Sequence, residues 1–146
     1  MARLNVDLEA AGAEFLVLGN LLIEKISAYK AYSNFPGYDL VATNPETNKS
    51  TRIQVKSRYH SNPDGFIIKN LVDCDFVVLV HLNRGYQRTR RNGDNGIKKP
   101  TFFIFPIDYV KKISDPNNNW GKITKSKMLN HEDFEDRWDL IRKSLI

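Results

Sequence analysis

The chain has 146 residues, which is enough for one domain with its own core, so we expect a single domain over residues 1–146. Its 41% hydrophobic and 27% charged residues are typical of a globular domain, and no apolar run reaches the roughly 18–20 residues of a membrane span. The formal charge of +5 favours a polyanionic partner such as nucleic acid.

The N-terminus and the cysteine content bear on the location of the protein. Acidic Asp7 precedes any apolar run, so the first residues lack the pattern of a signal peptide. The single cysteine, Cys74, excludes an intramolecular disulfide and a cysteine-based zinc cluster. These features predict a cytoplasmic protein without a membrane partner.

The first predicted element is a helix over residues 7–26. Apolar residues cover most of its circumference, so we expect the helix to be largely buried. Glu14 interrupts this pattern, and a carboxylate on an apolar face costs roughly several kcal/mol unless it is paired. A structural ion pair and a carboxylate directed at a metal or a water-filled site are both open. The apolar positions that share its face are Ala10, Ala11, Val17, Leu18 and Leu21.

The next elements are strands. Residues 28–33 predict a first strand, and residues 38–43 and 51–59 predict a β-hairpin because polar and apolar side chains alternate on both sides of a turn at 45–48. With that turn, Asp39 lies opposite Gln54, and Lys56 points the same way. The hairpin would therefore gather a carboxylate, an amide oxygen and an ammonium group. An ordinary solvent-exposed polar face is the alternative.

The second half of the chain begins with continuous apolar runs at 76–82 and 101–105, which predict two buried central strands. His81 in the first run is expected to be a core histidine with satisfied hydrogen bonds. Residues 107–113 predict a short helix, 114–131 an irregular segment and 132–145 a terminal helix. This order predicts an α/β fold in which helices flank a mixed β-sheet.

Two basic stretches are candidates for binding the backbone of nucleic acid. One is the loop between the two buried strands, and the other is the lysine-rich stretch at 122–127. Lysine and arginine contact phosphates with salt-dependent affinity that does not depend on base sequence. A solvated, flexible loop is the alternative. The candidate residues are Arg84, Arg88, Arg90, Arg91, Lys98, Lys99, Lys125 and Lys127.

Three short motifs resemble those of the PD-(D/E)XK nuclease superfamily. Gly12-Ala13-Glu14, Tyr38-Asp39-Leu40 and Gln54-Val55-Lys56 match, in order, the Gly-x-Glu helix, the Tyr-Asp-Leu strand and the Gln-Val-Lys strand of its small endonuclease-like members. The resemblance covers residues 8–110 and leaves 111–146 as a C-terminal extension with a terminal helix. It implies a restriction-endonuclease-like core of the α-βββ-α-β type, similar to Holliday-junction resolvases. Two features depart from the usual pattern: Asp39 lacks a preceding proline, and Gln54 stands where most members have Glu or Asp.

The resemblance also implies the catalytic residues, which are Glu14, Asp39, Gln54 and Lys56. Asp39 would be the main ligand of Mg²⁺, for which Mn²⁺ is a possible substitute. The side-chain oxygen of Gln54 and the carbonyl of Val55 are further candidate ligands, and Glu14 would hold a coordinated water or a second ion. Lys56 would orient the attacking water and stabilise developing charge.

The implied function is metal-dependent hydrolysis of nucleic acid, by a DNA endonuclease of the restriction, repair or recombination type. Gln54 carries no formal charge, so metal affinity should fall. A nucleic-acid-binding module that keeps the fold with weak or no catalysis is therefore the alternative. Because one chain presents one site, cutting both strands favours a homodimer.

Overall fold

A computed structural model describes residues 6–31, 37–69, 73–115, 117 and 120–146 of the chain. The helices are α1 (Val6–Ile23), α2 (Ile107–Ile113) and α3 (Trp138–Ser144). The strands are β1 (Ser27–Lys30), β2 (Leu40–Asn44), β3 (Lys49–Arg58), β4 (Phe66–Ile67), β5 (Phe76–His81), β6 (Thr101–Pro106) and β7 (Lys122–Ile123). Two short 3₁₀ segments, Lys125–Lys127 and His131–Phe134, precede α3.

Five strands form one mixed sheet in the order β1-β2-β3-β5-β6. Strands β1, β2 and β3 are antiparallel neighbours, β5 runs parallel to β3, and β6 runs antiparallel to β5. Asn44 pairs with Lys49 and Leu40 pairs with Ile53, which confirms the predicted register of the hairpin. Strands β4 and β7 form a separate two-stranded sheet. The predicted mixed sheet flanked by helices is thus confirmed.

The main sheet is covered on both faces because its central strands carry apolar side chains on both sides. Helices α1 and α3 pack on the first face, through residues that include Val17, Leu21, Trp138 and Ile141. Helix α2 and the small β4–β7 sheet pack on the second face, through residues that include Phe66, Val110 and Ile123. Strand β5 contributes to both cores, as its apolar run predicts.

Helix α1 is far less buried than the sequence predicts. Of its 18 residues, Ala13, Val17 and Leu21 are the buried ones. Leu8, Phe15 and Leu22 are 72%, 58% and 50% exposed. The prediction of a largely buried helix is wrong because α1 packs on the sheet by one face and presents its other apolar face outward.

The C-terminal region also differs from its prediction. Helix α3 begins at Trp138 rather than at residue 132, because Glu135 bridges to Phe103 of β6 and Asp136 adopts a left-handed backbone with φ of 53°. The segment 114–131, predicted to be irregular, contains β7 and a 3₁₀ segment. A two-residue strand such as β7 is too short to produce a recognisable alternation of polar and apolar side chains.

Two smaller expectations fall partly outside the described residues. Strand β1 ends at Lys30, and residues 32–36 of the predicted strand and loop are not described. The superfamily pattern predicts a helix in the connection from β3 to β5. The described part of this connection contains β4, and residues 70–72 of the connection are not described. Among the described residues no helix is both long and apolar enough to cross a membrane. The cytoplasmic location stays a prediction.

Candidate active site

Asp39 lies immediately before β2 and is anchored against β3. Its backbone N–H donates to the carbonyl of Ile53 over 2.8 Å. Its carboxylate atom Oδ2 accepts a hydrogen bond from the backbone N–H of Val55, also over 2.8 Å. The acidic side chain is therefore fixed at the middle of the Gln54-Val55-Lys56 motif.

The predicted direct pairing of Asp39 with Gln54 is not part of the hairpin ladder, which ends at Leu40 and Ile53. Asp39 lies just beyond the end of this ladder and donates its N–H to the carbonyl of Ile53. From there the Asp39 carboxylate reaches the N–H of Val55, one residue further along β3 than Gln54. The correction leaves the carboxylate next to the motif.

Gln54 and Lys56 lie on one face of β3, as the alternation of the strand requires. Their registered neighbours on β5 are Val77 and Leu79, which belong to the second core. The side-chain oxygen Oε1 of Gln54 lies 4.0 Å from Sγ of Cys74. Burial raises the pKa of Cys74 to about 11, so its thiol stays protonated and is a weak donor toward the amide oxygen.

Glu14 reaches the same region from α1 and meets Lys30 of β1. Its Oε1 lies 3.8 Å from Nζ of Lys30, and the two side chains are 22% and 38% exposed. The Lys30 ammonium also lies 4.5 Å from the centre of the Phe15 ring. Glu14 thus has an ion-pair partner, but an exposed pair of this length is weak and leaves the carboxylate free to bind a cation.

Lys30 is a site residue that sequence reasoning missed. It pairs with Leu40, the neighbour of Asp39, so the register of β1 against β2 is the signal that would have identified it. That register is not apparent from the weak alternation of residues 28–33. Because Lys30 pairs with Glu14, the structural ion pair that was one of the two interpretations of Glu14 is present.

The protonation of both carboxylates is shifted by burial and by neighbouring charges. Burial raises the pKa of Glu14, the negative charge of Asp39 raises it further, and Lys30 opposes both effects. Burial likewise raises the pKa of Asp39, while the hydrogen bond from Val55 and the charges of Lys56 and Lys30 act in the opposite direction. Two carboxylates and two ammonium groups therefore share one electrostatic neighbourhood.

This set of groups fits Mg²⁺. Carboxylate and amide oxygens are the hard ligands that Mg²⁺ prefers, and the ion usually keeps several waters. A divalent cation would offset both the repulsion and the desolvation that raise the two pKa values. Within the described residues no three His, Cys, Asp or Glu side chains cluster closely enough to hold a metal. The ion would therefore depend on Asp39, Glu14, the uncharged Gln54 and water.

The arginine-rich loop is folded into an extension that we call the basic arm (residues 84–99). Arg84 bridges to Ile97, and the N–H of Tyr86 donates to the carbonyl of Asn95 over 2.8 Å. The arm is thus a narrow hairpin between β5 and β6, and the alternative of a solvated, flexible loop stays open. The exposed candidate residues of the arm are Arg84, Arg88, Arg90, Arg91, Lys98 and Lys99.

The lysines of the second basic stretch have different surroundings. Lys125 donates from Nζ to Oδ1 of Asn62 over 3.1 Å and lines a cavity that Lys98 also lines. Lys127 instead lies 3.6 Å from the carboxylate of Asp115. One lysine from each basic stretch, Lys98 and Lys125, therefore lines the same cavity.

His81 does not behave as predicted. Its Nε2 is buried and has no hydrogen-bond partner among the residues that the structure describes, so the expectation of a satisfied core histidine is wrong. The reason is that its ring packs against Phe103, with ring centres 5.1 Å apart, at an apolar position of the sheet. Burial lowers the pKa of His81 to about 4, and the charges of His131 and Arg58 contribute to the decrease.

Comparison with solved structures identifies the fold. The structure of the bacterial homing endonuclease I-Ssp6803I matches with a TM-score of 0.59 and 17% identity, over 96% of this chain and 94% of that one. Hjc, a Holliday junction resolvase from the archaeal hyperthermophile Archaeoglobus fulgidus, matches with a TM-score of 0.48 and 17% identity, over 82% and 87% of the two chains. The chain has the restriction-endonuclease-like fold that the resemblance of its motifs implies. No protein-family model and no curated protein sequence matches it.

Proposed function

We propose that this chain is a metal-dependent endonuclease that hydrolyses phosphodiester bonds of DNA at the site around Asp39. The observation that carries the proposal is the Asp39 carboxylate, held 2.8 Å from the Val55 N–H and electrostatically coupled to Glu14, Lys30 and Lys56. The match in fold to a homing endonuclease supports it. Such an endonuclease would act in restriction, repair or recombination of DNA.

Asp39, Glu14 and the side-chain oxygen of Gln54 are the groups that would hold Mg²⁺ or Mn²⁺, together with the carbonyl of Val55. A bound divalent cation supplies positive charge that stabilises the negative charge developing on the phosphate. The Val55 N–H restricts Asp39 to one orientation, so this residue needs little rearrangement when it acts as a ligand.

Lys56 is the residue that would orient the attacking water and stabilise charge at the reacting phosphate. Its positive charge acts to lower the pKa of Asp39, and this electrostatic effect supports the proposed role. Lys30 lowers the pKa of Glu14 and so favours the ionised form that a cation requires.

The basic arm supports DNA as the substrate. Its arginines Arg88, Arg90 and Arg91 are exposed, and exposed guanidinium groups bind phosphates without reading base sequence. We also propose that the whole chain, residues 1–146, works as one nuclease-like domain, since α3 of the C-terminal extension packs into the same core as α1.

A homodimer is part of this proposal, because cleavage of both strands by a chain with one site needs a symmetric pair. The outward apolar face of α1 is the surface that would meet the second copy. Leu8, Phe15 and Leu22 are exposed and spaced seven residues apart, which places them along one stripe of the helix.

Cleavage of a mixed panel of linear, branched and single-stranded DNA in Mg²⁺ or Mn²⁺ tests the proposed activity. We expect the parent to cut, and Asp39→Ala and Lys56→Ala to lose at least about 10²-fold in rate while they stay folded. Asp64→Ala and Lys112→Ala, on exposed side chains away from the site, are the matched controls. If both site variants cut as fast as the parent, the assignment of the site is wrong.

A binding module without catalysis is the second candidate, and Gln54 is the observation that favours it. An amide oxygen is a weaker ligand than a carboxylate, and the described residues supply only Glu14 and Asp39 as acidic groups at the site. Salt-dependent DNA binding without cleavage of any DNA in the panel would support this candidate and contradict the first.

A further inference from the structure

A cavity of about 400 Å³ lies near the end of β5, on the same face of the sheet as Lys56. Arg58 is registered with His81 of β5, and it lies two residues beyond Lys56, which is about 6.6 Å along the strand. The cavity is therefore close enough to the candidate active site for one bound DNA strand to reach both. The residues that line it include His81, Tyr86, Lys98, Phe103, Lys125 and His131.

The electrostatics of the cavity favour an anion. Lys98 comes from the basic arm and Lys125 from the segment before α3, so the fold brings together two ammonium groups that are distant in sequence. Asn62 holds the Lys125 side chain through a 3.1 Å hydrogen bond. Arg58 donates from Nη1 over 2.9 Å to the carbonyl of Gly65, which also lines the cavity.

The size and walls of the cavity favour more than a bare phosphate. A volume of about 400 Å³ is in the range of small-molecule sites and far exceeds the size of one phosphate group. Tyr86 and Phe103 supply aromatic surface, although Phe103 is only 4% exposed and the Arg90 guanidinium lies 4.5 Å from the centre of the Tyr86 ring, so a base would contact Tyr86 beside this guanidinium. The Tyr86 ring packs so closely on Gly96 that a Cβ atom there would lie 2.7 Å from it, which fixes the ring in place. Aromatic rings are the usual contact surface for nucleobases.

Two hydrogen-bonding groups in the cavity suit the polar edge of a base. Nε2 of His81 is buried and has no partner among the described residues, whereas buried polar atoms are normally paired with protein groups or ordered water, so a ligand that reached this atom would supply the missing partner. Glu135 lines the cavity as well, and its negative charge would repel a bare anion. It would accept a hydrogen bond from the exocyclic amino group of a base.

We propose that this cavity binds one nucleotide, whose phosphate lies against Lys98 and Lys125 and whose amino-bearing base lies against Tyr86, His81 and Glu135. The inference rests on the proposed function, because the nucleotide belongs to the DNA strand bound at the candidate active site. The cavity would bind a nucleotide close to the phosphodiester bond that is cut. It would thereby help to position the DNA strand and contribute to base preference.

The test uses the full chain without divalent metal, so that it is independent of cleavage. Deoxycytidine 5′-monophosphate is titrated into the protein while the ring resonances of His81 and His131 are followed by NMR. We expect both histidines to shift in a saturable way. Deoxycytidine without the phosphate, inorganic phosphate and thymidine 5′-monophosphate should each bind at least tenfold more weakly.

Variants separate the roles of the lining residues. Lys98→Ala with Lys125→Ala should weaken the nucleotide at least tenfold, whereas Lys111→Ala with Lys112→Ala removes the same charge from exposed positions of α2 and should not. His81→Phe keeps an aromatic ring against Phe103 and removes Nε2, so it should fold and bind the nucleotide more weakly. Unchanged affinity in either of the cavity variants would overturn the inference.

The outcomes distinguish this inference from the proposed function. If the protein cuts DNA but the nucleotide leaves the His81 resonances unmoved, the nucleotide pocket is wrong and the nuclease stands. If the nucleotide binds with the expected pattern and no DNA is cut, the pocket stands and the catalytic proposal is wrong. Equal affinity for inorganic phosphate and the nucleotide would overturn the base-recognition part of the inference.

Discussion

The candidate active site and the cavity are built in different ways. Around Asp39, the groups come from α1, β1 and the β2–β3 hairpin, and they combine carboxylates with ammonium groups. Around His81, the cavity draws on segments between Asn62 and Glu135 and combines ammonium groups with aromatic rings. The first arrangement suits a cation and a reacting phosphate, whereas the second suits recognition of an anionic ligand. The contrast teaches that two neighbouring regions of one fold can differ in the kind of ligand that their side chains suit.

The two regions also differ in how visible they are from the sequence. The catalytic motif is compact, since Gln54 and Lys56 are separated by one residue and the hairpin turn fixes where Asp39 lies. The cavity has no comparable motif, because its lining comes from loops whose arrangement depends on the whole fold. The following predictions test each region separately.

After the loss of cleavage expected for Asp39→Ala and Lys56→Ala, the largest effect is expected at Gln54, because a substitution there changes the charge of the proposed metal site directly. Gln54→Glu adds a third carboxylate and should lower the Mg²⁺ concentration for half-maximal cleavage by about tenfold, which corresponds to about 1.4 kcal/mol. Gln54→Leu removes the ligand oxygen and should raise that concentration. Cleavage rates over a Mg²⁺ titration provide the measurement, and the same Mg²⁺ dependence for both variants would contradict a ligand role for residue 54.

The next effect concerns the basic arm. Arg88→Ala with Arg91→Ala should reduce the slope of log K against log salt by about 1.8, since each phosphate contact on duplex DNA contributes about 0.9. Fluorescence anisotropy of a labelled duplex across a salt series measures this slope. Lys111→Ala with Lys112→Ala is the control for net charge. An equal loss of slope in the control would show that the arm is not a specific binding surface.

A further effect is expected on self-association. Leu8→Asp and Leu22→Asp place charge on the exposed stripe of α1, and burying one leucine contributes about 1.5–3 kcal/mol. The two variants should therefore shift sedimentation toward the monomer at concentrations where the parent is a dimer. Leu129→Asp, at a position that is 70% exposed away from α1, serves as the control. If the parent is a monomer even at high concentration, the proposed homodimer is wrong.

The smallest effect is on stability without metal. The folded state raises the pKa of Asp39 above its ordinary value of 3.8, mainly by burial. Below pH 3.8 the carboxyl group is protonated in both states. As the pH rises, the unfolded chain releases the proton first, so folding becomes less favourable, and this loss persists above the folded pKa.

Asp39→Asn removes that loss and keeps an oxygen that can accept the Val55 N–H. The Tm of the variant minus the Tm of the parent should therefore increase as the pH is raised from about 3 to neutral. Thermal unfolding with a chelator present measures this difference. Asp64→Asn, on an exposed side chain, is the control. A difference in Tm that does not change with pH would show that Asp39 is not destabilised by burial in the folded protein.

Most of the sheet could be predicted from the sequence. The hairpin register follows from the turn at 45–48 and from alternation, and the buried strands follow from their apolar runs. The resemblance to the PD-(D/E)XK superfamily predicts Glu14, Asp39, Gln54 and Lys56 as site residues, and these assignments stay predictions. The position of Asp39 beyond the end of the hairpin ladder was not predicted, because its hydrogen bonds to Ile53 and Val55 have no sequence signature.

Other features depend on tertiary contacts and could not be read from the chain. The apolar residues of α1 run round the whole helix, so their pattern does not show which face meets the sheet. Lys30 is recognised only when β1 is in register with β2. Lys98 and Lys125 are far apart in sequence, and their shared cavity depends on the basic arm and on the β4–β7 pair.

The central claim, that Asp39 holds a divalent cation together with Glu14 and Gln54, is tested most directly by anomalous diffraction from crystals soaked in Mn²⁺. The account predicts an anomalous peak within ligand distance of the Asp39 carboxylate, with oxygen atoms of Glu14, Gln54 or ordered waters around it. A fully soaked crystal with no peak at Asp39, or with peaks only at unrelated surface carboxylates, would contradict it.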